Sequence, residues 1–255
     1  MARKSSTKPR LVDWARSLPA TTGLLTAMLG FEIPLRVIGA KGSRDDLMDA
    51  GHVLADALWA ALRLTGADLE VDGLDHVDSR ERYVIVANHQ GFSDVVVLST
   101  TLRSLQPRYV AKRELARGWP SISYMLEGSG SAIIDRRKPN EAIGEIERLG
   151  RQAKREGWSV AIFPEGTRAK DGRPKQWKSR GVEALLATTG PCKVLPVSLW
   201  GGSELFAHNG LPFRANVELG IRIHPPVAPP AEGEDFAAWL EIQRQTVAAG
   251  LPKGS

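Results

Sequence analysis

Cysteine is almost missing from this chain of 255 residues: Cys192 stands alone, which excludes an intrachain disulfide and any cysteine-rich metal site. A reducing compartment is the simplest reading of that scarcity. Cys192 precedes an apolar segment, where cysteine acts as a small hydrophobe rather than as a nucleophile. His52, His76, His208 and His224 show no paired spacing for zinc, so no metal is expected. A Gly-x-Ser-x-Gly elbow is also absent, because Gly128-Ser129-Gly130-Ser131 has the wrong spacing, and Gly128-Ser129-Gly130 does not extend into a dinucleotide fingerprint. Hydrolase and oxidoreductase readings fall away with these motifs. Long apolar runs are missing too: the stretch from Leu18 to Phe31 holds fourteen residues before Glu32, where spanning a bilayer needs about 20. With 25 glycines and 16 prolines the chain stays below the low-complexity range of about a quarter. It shows no internal repeat and no long linker.

What is present is ordinary globular material, 42% hydrophobic, with length for one or two domains and a sizeable core. Lys and Arg number 34 against 29 Asp and Glu, a net charge of +5 that favours anionic partners without choosing among them. Arg3, Lys4, Lys8 and Arg10 open the chain without an acid and lead into Leu11, Val12, Trp14, Leu18, Leu24, Leu25, Met28, Leu29 and Phe31. A basic lead into a Trp-containing apolar segment fits a membrane interface; the alternative is a disordered arm and a helix packed on the core. A secretory signal is discounted because Asp13 and Pro19 interrupt the stretch and no small-residue cleavage site follows. A second helix is expected over 44–64, with Leu47, Leu54, Leu58, Ala61 and Leu62 near one face, either docking on lipid or covering a sheet.

Beyond residue 66, short apolar segments alternate with helical patterns. Strands are expected at 68–71, 83–87, 108–111, 131–134, 159–163, 193–199 and 216–223. Helices are expected at 95–105, 141–155, 180–188 and 235–249. This is the signature of an α/β fold, a mixed, mostly parallel sheet flanked by helices. The division expected is 1–66, a basic arm with amphipathic membrane-docking helices, and 67–255, the sheet domain.

The chemistry concentrates after three of the strands. Asn88-His89-Gln90-Gly91-Phe92-Ser93-Asp94 sets an imidazole and a carboxylate five residues apart, the arrangement of a general base and the group that fixes its tautomer. The competing view is a strand end whose Asn88 and His89 satisfy turn amides while Ser93 or Asp94 caps the next helix. Phe163-Pro164-Glu165-Gly166-Thr167-Arg168 offers a glycine for close approach, a hydroxyl and a guanidinium that can grip a phosphate. Ser131 to Arg137 is a third short strand ending in cations. Ligands of open α/β sheets sit outside the carboxyl ends of strands, so these segments are expected to converge.

Four blocks in this order resemble the glycerolipid acyltransferase family, whose members include 1-acyl-glycerol-3-phosphate acyltransferases. The blocks are Asn88-His89 to Asp94; the segment ending Ile134-Asp135-Arg136; Phe163 to Arg168; and Val194-Leu195-Pro196-Val197-Ser198. Tyr109 to Leu115 is similar to the family's segment between the first two, and the likeness covers roughly 68–224. Two departures bear on the acceptor: Ala169 stands where many members have serine, and Ile133 where an aromatic is frequent. The resemblance implies acyl transfer from a thioester to the free hydroxyl of a lysophospholipid, with 1-acyl-glycerol-3-phosphate giving phosphatidic acid. It implies His89 and Asp94 as catalytic residues, and Lys112, Arg136, Glu165, Gly166, Thr167 and Arg168 as substrate-binding residues. No cofactor is implied; acyl-CoA or an acyl carrier protein thioester enters as co-substrate, and nucleic acid is not an expected partner. The implied place is the cytoplasmic face of a membrane, peripheral or monotopic. Glycerol 3-phosphate or another lysolipid as acceptor, and a non-enzymatic lipid-binding protein, stand as alternatives.

Overall fold

The computed structural model describes residues 8–208 and 210–252, so Arg3 and Lys4 of the basic lead lie outside the described residues. Seven strands form one sheet: β1 (Asp68–Asp72), β2 (Tyr83–Ala87), β3 (Arg108–Lys112), β4 (Ala132–Ile134), β5 (Val160–Ile162), β6 (Lys193–Trp200) and β7 (Glu218–Ile223). Their order is β1-β7-β6-β2-β5-β3-β4, parallel throughout except for the β6–β7 pair. The mixed, mostly parallel sheet expected from the alternation is therefore present.

β2 is buried along its whole length because helices cover both faces of the sheet. Its side chains alternate between two cores. Tyr83, Ile85 and Ala87 pack with α1 (Leu11–Gly30), α3 (Arg44–Arg63) and α4 (Phe92–Thr101), whereas Val84 and Val86 pack with α6 (Pro139–Glu156), α7 (Ser179–Thr189) and α9 (Phe236–Ala249). Local signals set the helix ends. Pro139 occupies the first turn of α6 and Gly157, at φ 79°, ends it in the left-handed conformation. Ser43 and Asp46 close a reciprocal capping box on α3.

The N-terminal helix departs from the sequence expectation. Asp13 and Pro19 do not interrupt it: α1 runs unbroken from Leu11 to Gly30, and after Phe31 the chain continues as α2 (Glu32–Lys41). Asp13, the third residue of the helix, caps its first turn, accepting the Arg10 N–H at 2.8 Å and the Ala215 N–H at 3.0 Å. Ser17 accepts the Phe213 N–H at 2.7 Å. These bonds pin the first turns to the segment before β7, so α1 tolerates the helical donor that Pro19 lacks. By length and composition Leu11–Lys41 is sufficient to cross a membrane. One face of α1, with Ala20, Leu24 and Met28, is buried, while Leu11, Trp14, Leu18, Leu25 and Leu29 are exposed.

Two shorter helices complete this layer: α5 (Ile122–Gly128) against α3 and, after β6, α8 (Gly202–Leu205) against α4. The α5 segment is tied to the α1–α2 junction through Ser121, whose hydroxyl donates to the Met28 carbonyl and whose N–H donates to Glu32.

Candidate active site

Sheet order builds the site. At their carboxyl ends β2, β5, β3 and β4, neighbours in that sequence, lead into His89, the Phe163–Arg168 segment, Lys112 and Arg136. Four stretches dispersed through the chain thus open on one edge, as parallel strands require.

The Nδ1 of His89 lies 2.8 Å from Asp94 Oδ2. An ionised carboxylate only accepts, so Nδ1 carries the proton and Nε2 presents its lone pair. The His89 side chain keeps 13% of its surface exposed while Asp94 keeps 3%. Asp94 also caps: α4 starts at Phe92, three residues earlier than expected, and Asp94 Oδ2 accepts the N–H groups of Gln90 and Gly91. The two readings of this segment are therefore one structure. The helix start that demands an acid here is what aims that acid at the imidazole.

Around the dyad the support is dense. Asn88 spans the sheet, donating to the Leu199 carbonyl and accepting the Leu199 N–H, both at 2.8 Å. Gln90 donates to the Gly172 carbonyl at 2.9 Å and accepts the Ser203 N–H at 3.2 Å. The Phe163 ring stacks on His89 with centroids 4.3 Å apart. Gly202 backs the carboxylate so closely that a Cβ there would stand 2.7 Å from Asp94 Oδ1. Asn88, Gln90 and Phe163 lie inside recognisable motifs, whereas Gly202 carries no signal that separates it from loop residues.

Gly166 adopts φ 66°, the left-handed turn glycine permits, and this leaves Thr167 and Arg168 exposed. Arg136 is exposed across the same edge; partial burial of its guanidinium and the like charge of Arg168 lower its pKa, against the pull of Glu114. Among the described residues, neither the Arg136 nor the Arg168 side chain makes an ion pair, whereas Asp135 is taken by Arg137 at 2.9 Å and Lys112 by Glu114 at 3.0 Å. Two neighbouring guanidiniums that make no ion pair of their own can hold an anion. Glu165 is buried, 2% exposed, and accepts the His89 N–H at 3.2 Å.

An apolar cavity of about 100 Å³ lies between α3, α4 and α5. Phe92, Val95, Val96 and Ser99 line it from one face of α4, opposite Met48, His52 and Leu58 of α3 and Met125 of α5. It is assembled from separate elements, so no stretch of sequence announces it.

The model of the acyltransferase family matches residues 68–200. A 1-acyl-sn-glycerol-3-phosphate acyltransferase of Pseudomonas aeruginosa is 30% identical over 195 residues, 75% of this chain and 71% of that protein. One of Borreliella burgdorferi is 28% identical over 66% of this chain and 64% of its own length, and a chloroplastic one of Arabidopsis thaliana matches at 29% over 48% of its length. The chain thus spans about half to two thirds of some of its curated relatives. The crystal structure of the 1-acyl-sn-glycerophosphate acyltransferase of Thermotoga maritima shares the fold, with a TM-score of 0.72 at 20% identity over 93% of this chain and 94% of that one.

Proposed function

Because the chain belongs to the acyltransferase family, we propose that it moves a fatty acyl group from a thioester to the free hydroxyl of 1-acyl-glycerol-3-phosphate, giving phosphatidic acid. The observation that carries this reading is the His89–Asp94 pair on the same sheet edge as Arg136 and Arg168. His89 Nε2 takes the hydroxyl proton as that oxygen attacks the thioester carbonyl carbon. Asp94 stabilises the imidazolium while the tetrahedral intermediate forms. The C–S bond then breaks, and the proton on His89 passes to the departing sulfur. No enzyme-bound acyl intermediate is needed, since the acceptor hydroxyl is itself the nucleophile.

Arg136 and Arg168, with Gly166 and Thr167, hold the acceptor phosphate, and Lys112, paired with Glu114, stands at the same edge. The apolar cavity beside Phe92 and Val95 receives acyl chain. The donor is anionic in either form, acyl-CoA or acyl carrier protein, and Arg173, Lys175, Lys178 and Arg180 line the exposed approach after Arg168. The protein sits on the membrane surface at its cytoplasmic face. Pinning of Asp13 and Ser17 to the sheet domain favours a helix lying along the interface, its outer row of Leu11, Trp14, Leu18, Leu25 and Leu29 in the acyl boundary.

Mass spectrometry of products from purified protein given lysophosphatidate, glycerol 3-phosphate and other lysolipids, with both donor types, tests the assignment. Phosphatidic acid as the dominant product supports it; acylation confined to acceptors without phosphate overturns it.

A further inference from the structure

The Phe163–Arg168 segment and its continuation grip His89 as well as facing solvent. Phe163 covers one face of the imidazole, Ala169 N–H donates to the His89 carbonyl at 2.6 Å, and Glu165 Oε1 accepts the His89 N–H at 3.2 Å. That bond goes to main chain, and among the described residues no hydrogen bond joins Glu165 to Arg136 or Arg168. With 2% of its surface exposed, Glu165 offers an acceptor almost nothing to touch. Its second oxygen, Oε2, is buried without a hydrogen-bond partner. An orphaned buried carboxylate oxygen is destabilising, so its retention beside a candidate base calls for a role outside stability.

We propose that Glu165 is a positioning residue, which fixes the main chain of His89 and so the direction of Nε2, and acts through His89 rather than on the acceptor. The proposal rests on His89 being the base. It also makes the anion site and the base mount one unit: Gly166, Thr167 and Arg168 lie between the two residues, Glu165 and Ala169, that hold His89 at its N–H and its carbonyl. A phosphate seated on this turn braces the mount of the base that acts on the same molecule.

The ionisable groups facing Glu165 are His89 and Asp94 on the β2–α4 segment, Lys175 on its own loop and Arg244 on α9. Burial is the main cause that pushes the Glu165 carboxyl up to about 7. Its charge state therefore changes across the working range, and the mount has a stronger acceptor above that value than below it.

The test compares wild type, Glu165→Ala and Glu165→Gln in acyl thioester turnover, with folding checked by thermal melts. Glu165→Ala is expected to lower kcat by about tenfold or more while the KM for lysophosphatidate stays within about twofold. Glu165→Gln, which keeps a carbonyl for the His89 N–H, loses less and removes an ionisation near 7 from the pH profile of kcat. A rise in acceptor KM with kcat unchanged would overturn the proposal, since that marks direct contact with the acceptor. If Glu165→Ala does not fold, the pH profile of Glu165→Gln decides, and an unaltered profile overturns the proposal. A titration of His89 by imidazole NMR separates this idea from the reaction assigned above. A His89 signal that changes in Glu165→Gln supports the mount even where wild type fails to acylate lysophosphatidate, and an unchanged signal overturns it.

Discussion

His89, Asp94 and Gly202 form a chain of contacts in which each link is testable alone. Replacing His89 by alanine removes the base and is expected to lower kcat by about 10²- to 10⁴-fold while lysolipid binding persists. Asp94 has two tasks, so Asp94→Ala is expected to lose turnover and also about 1 kcal/mol of stability through the lost cap, read as a lower Tm. Gly202→Ala puts a methyl group against Asp94 Oδ1 and is expected to reduce kcat with little change in either KM. Arg136→Ala and Arg168→Ala are each expected to raise the KM for lysophosphatidate by about ten- to a hundredfold, the worth of a hydrogen bond to a charged group, and to leave an acceptor without phosphate unaffected. Glu165 makes a prediction of opposite sign for stability. A carboxyl whose folded pKa stands at about 7, above its ordinary 4.5, destabilises the fold progressively as pH rises from the lower value to the upper. Glu165→Gln is therefore expected to raise Tm at pH 8 and to give no such gain at pH 4, a comparison made by calorimetry.

Elements were legible in the sequence in proportion to how completely their burial wrote itself into residue type. β2 and β6 are covered on both faces, so continuous apolar runs marked them, and the Pro139 and Gly157 boundaries of α6 were marked by their special φ requirements. The sequence pattern starts α4 at Val95 because Phe92 reads as loop, whereas the Asp94 cap reaches back to Gly91. α1 is longer than the pattern predicts for a related reason. An acid and a proline read as breaks, yet Asp13 is satisfied by Arg10 and Ala215, and Pro19 is carried by a helix anchored below it. Of the site, His89, Asp94 and the arginines are visible as motifs; the partners of Gln90, the role of Gly202 and the cavity wall are not, since they arise only where separate elements meet. The exposed stripe of α1 yields a prediction at this scale. Leu25→Glu with Leu29→Glu is expected to weaken sedimentation with phospholipid vesicles by about tenfold or more, with turnover of a soluble short-chain acceptor preserved.

At the scale of the whole molecule, strand order does what no local signal announces. β5 enters between β2 and β3, which brings the Phe163–Arg168 turn against His89 on one side and toward Arg136 on the other. The net charge of +5 draws the molecule to anionic surfaces over distances that salt screens. Binding to vesicles containing anionic lipid is accordingly expected to fall as ionic strength rises, while binding to neutral vesicles, driven by the apolar stripe, changes little. The central claim is that an aspartate-held imidazole deprotonates a hydroxyl whose phosphate is gripped by arginines. Its most direct measurement is thiol release from an acyl thioester by purified wild type and folded His89→Ala, each with and without lysophosphatidate. The expected result is release that requires the lysolipid in wild type and is nearly abolished in His89→Ala; lysolipid-dependent release at the wild-type rate from His89→Ala would contradict it.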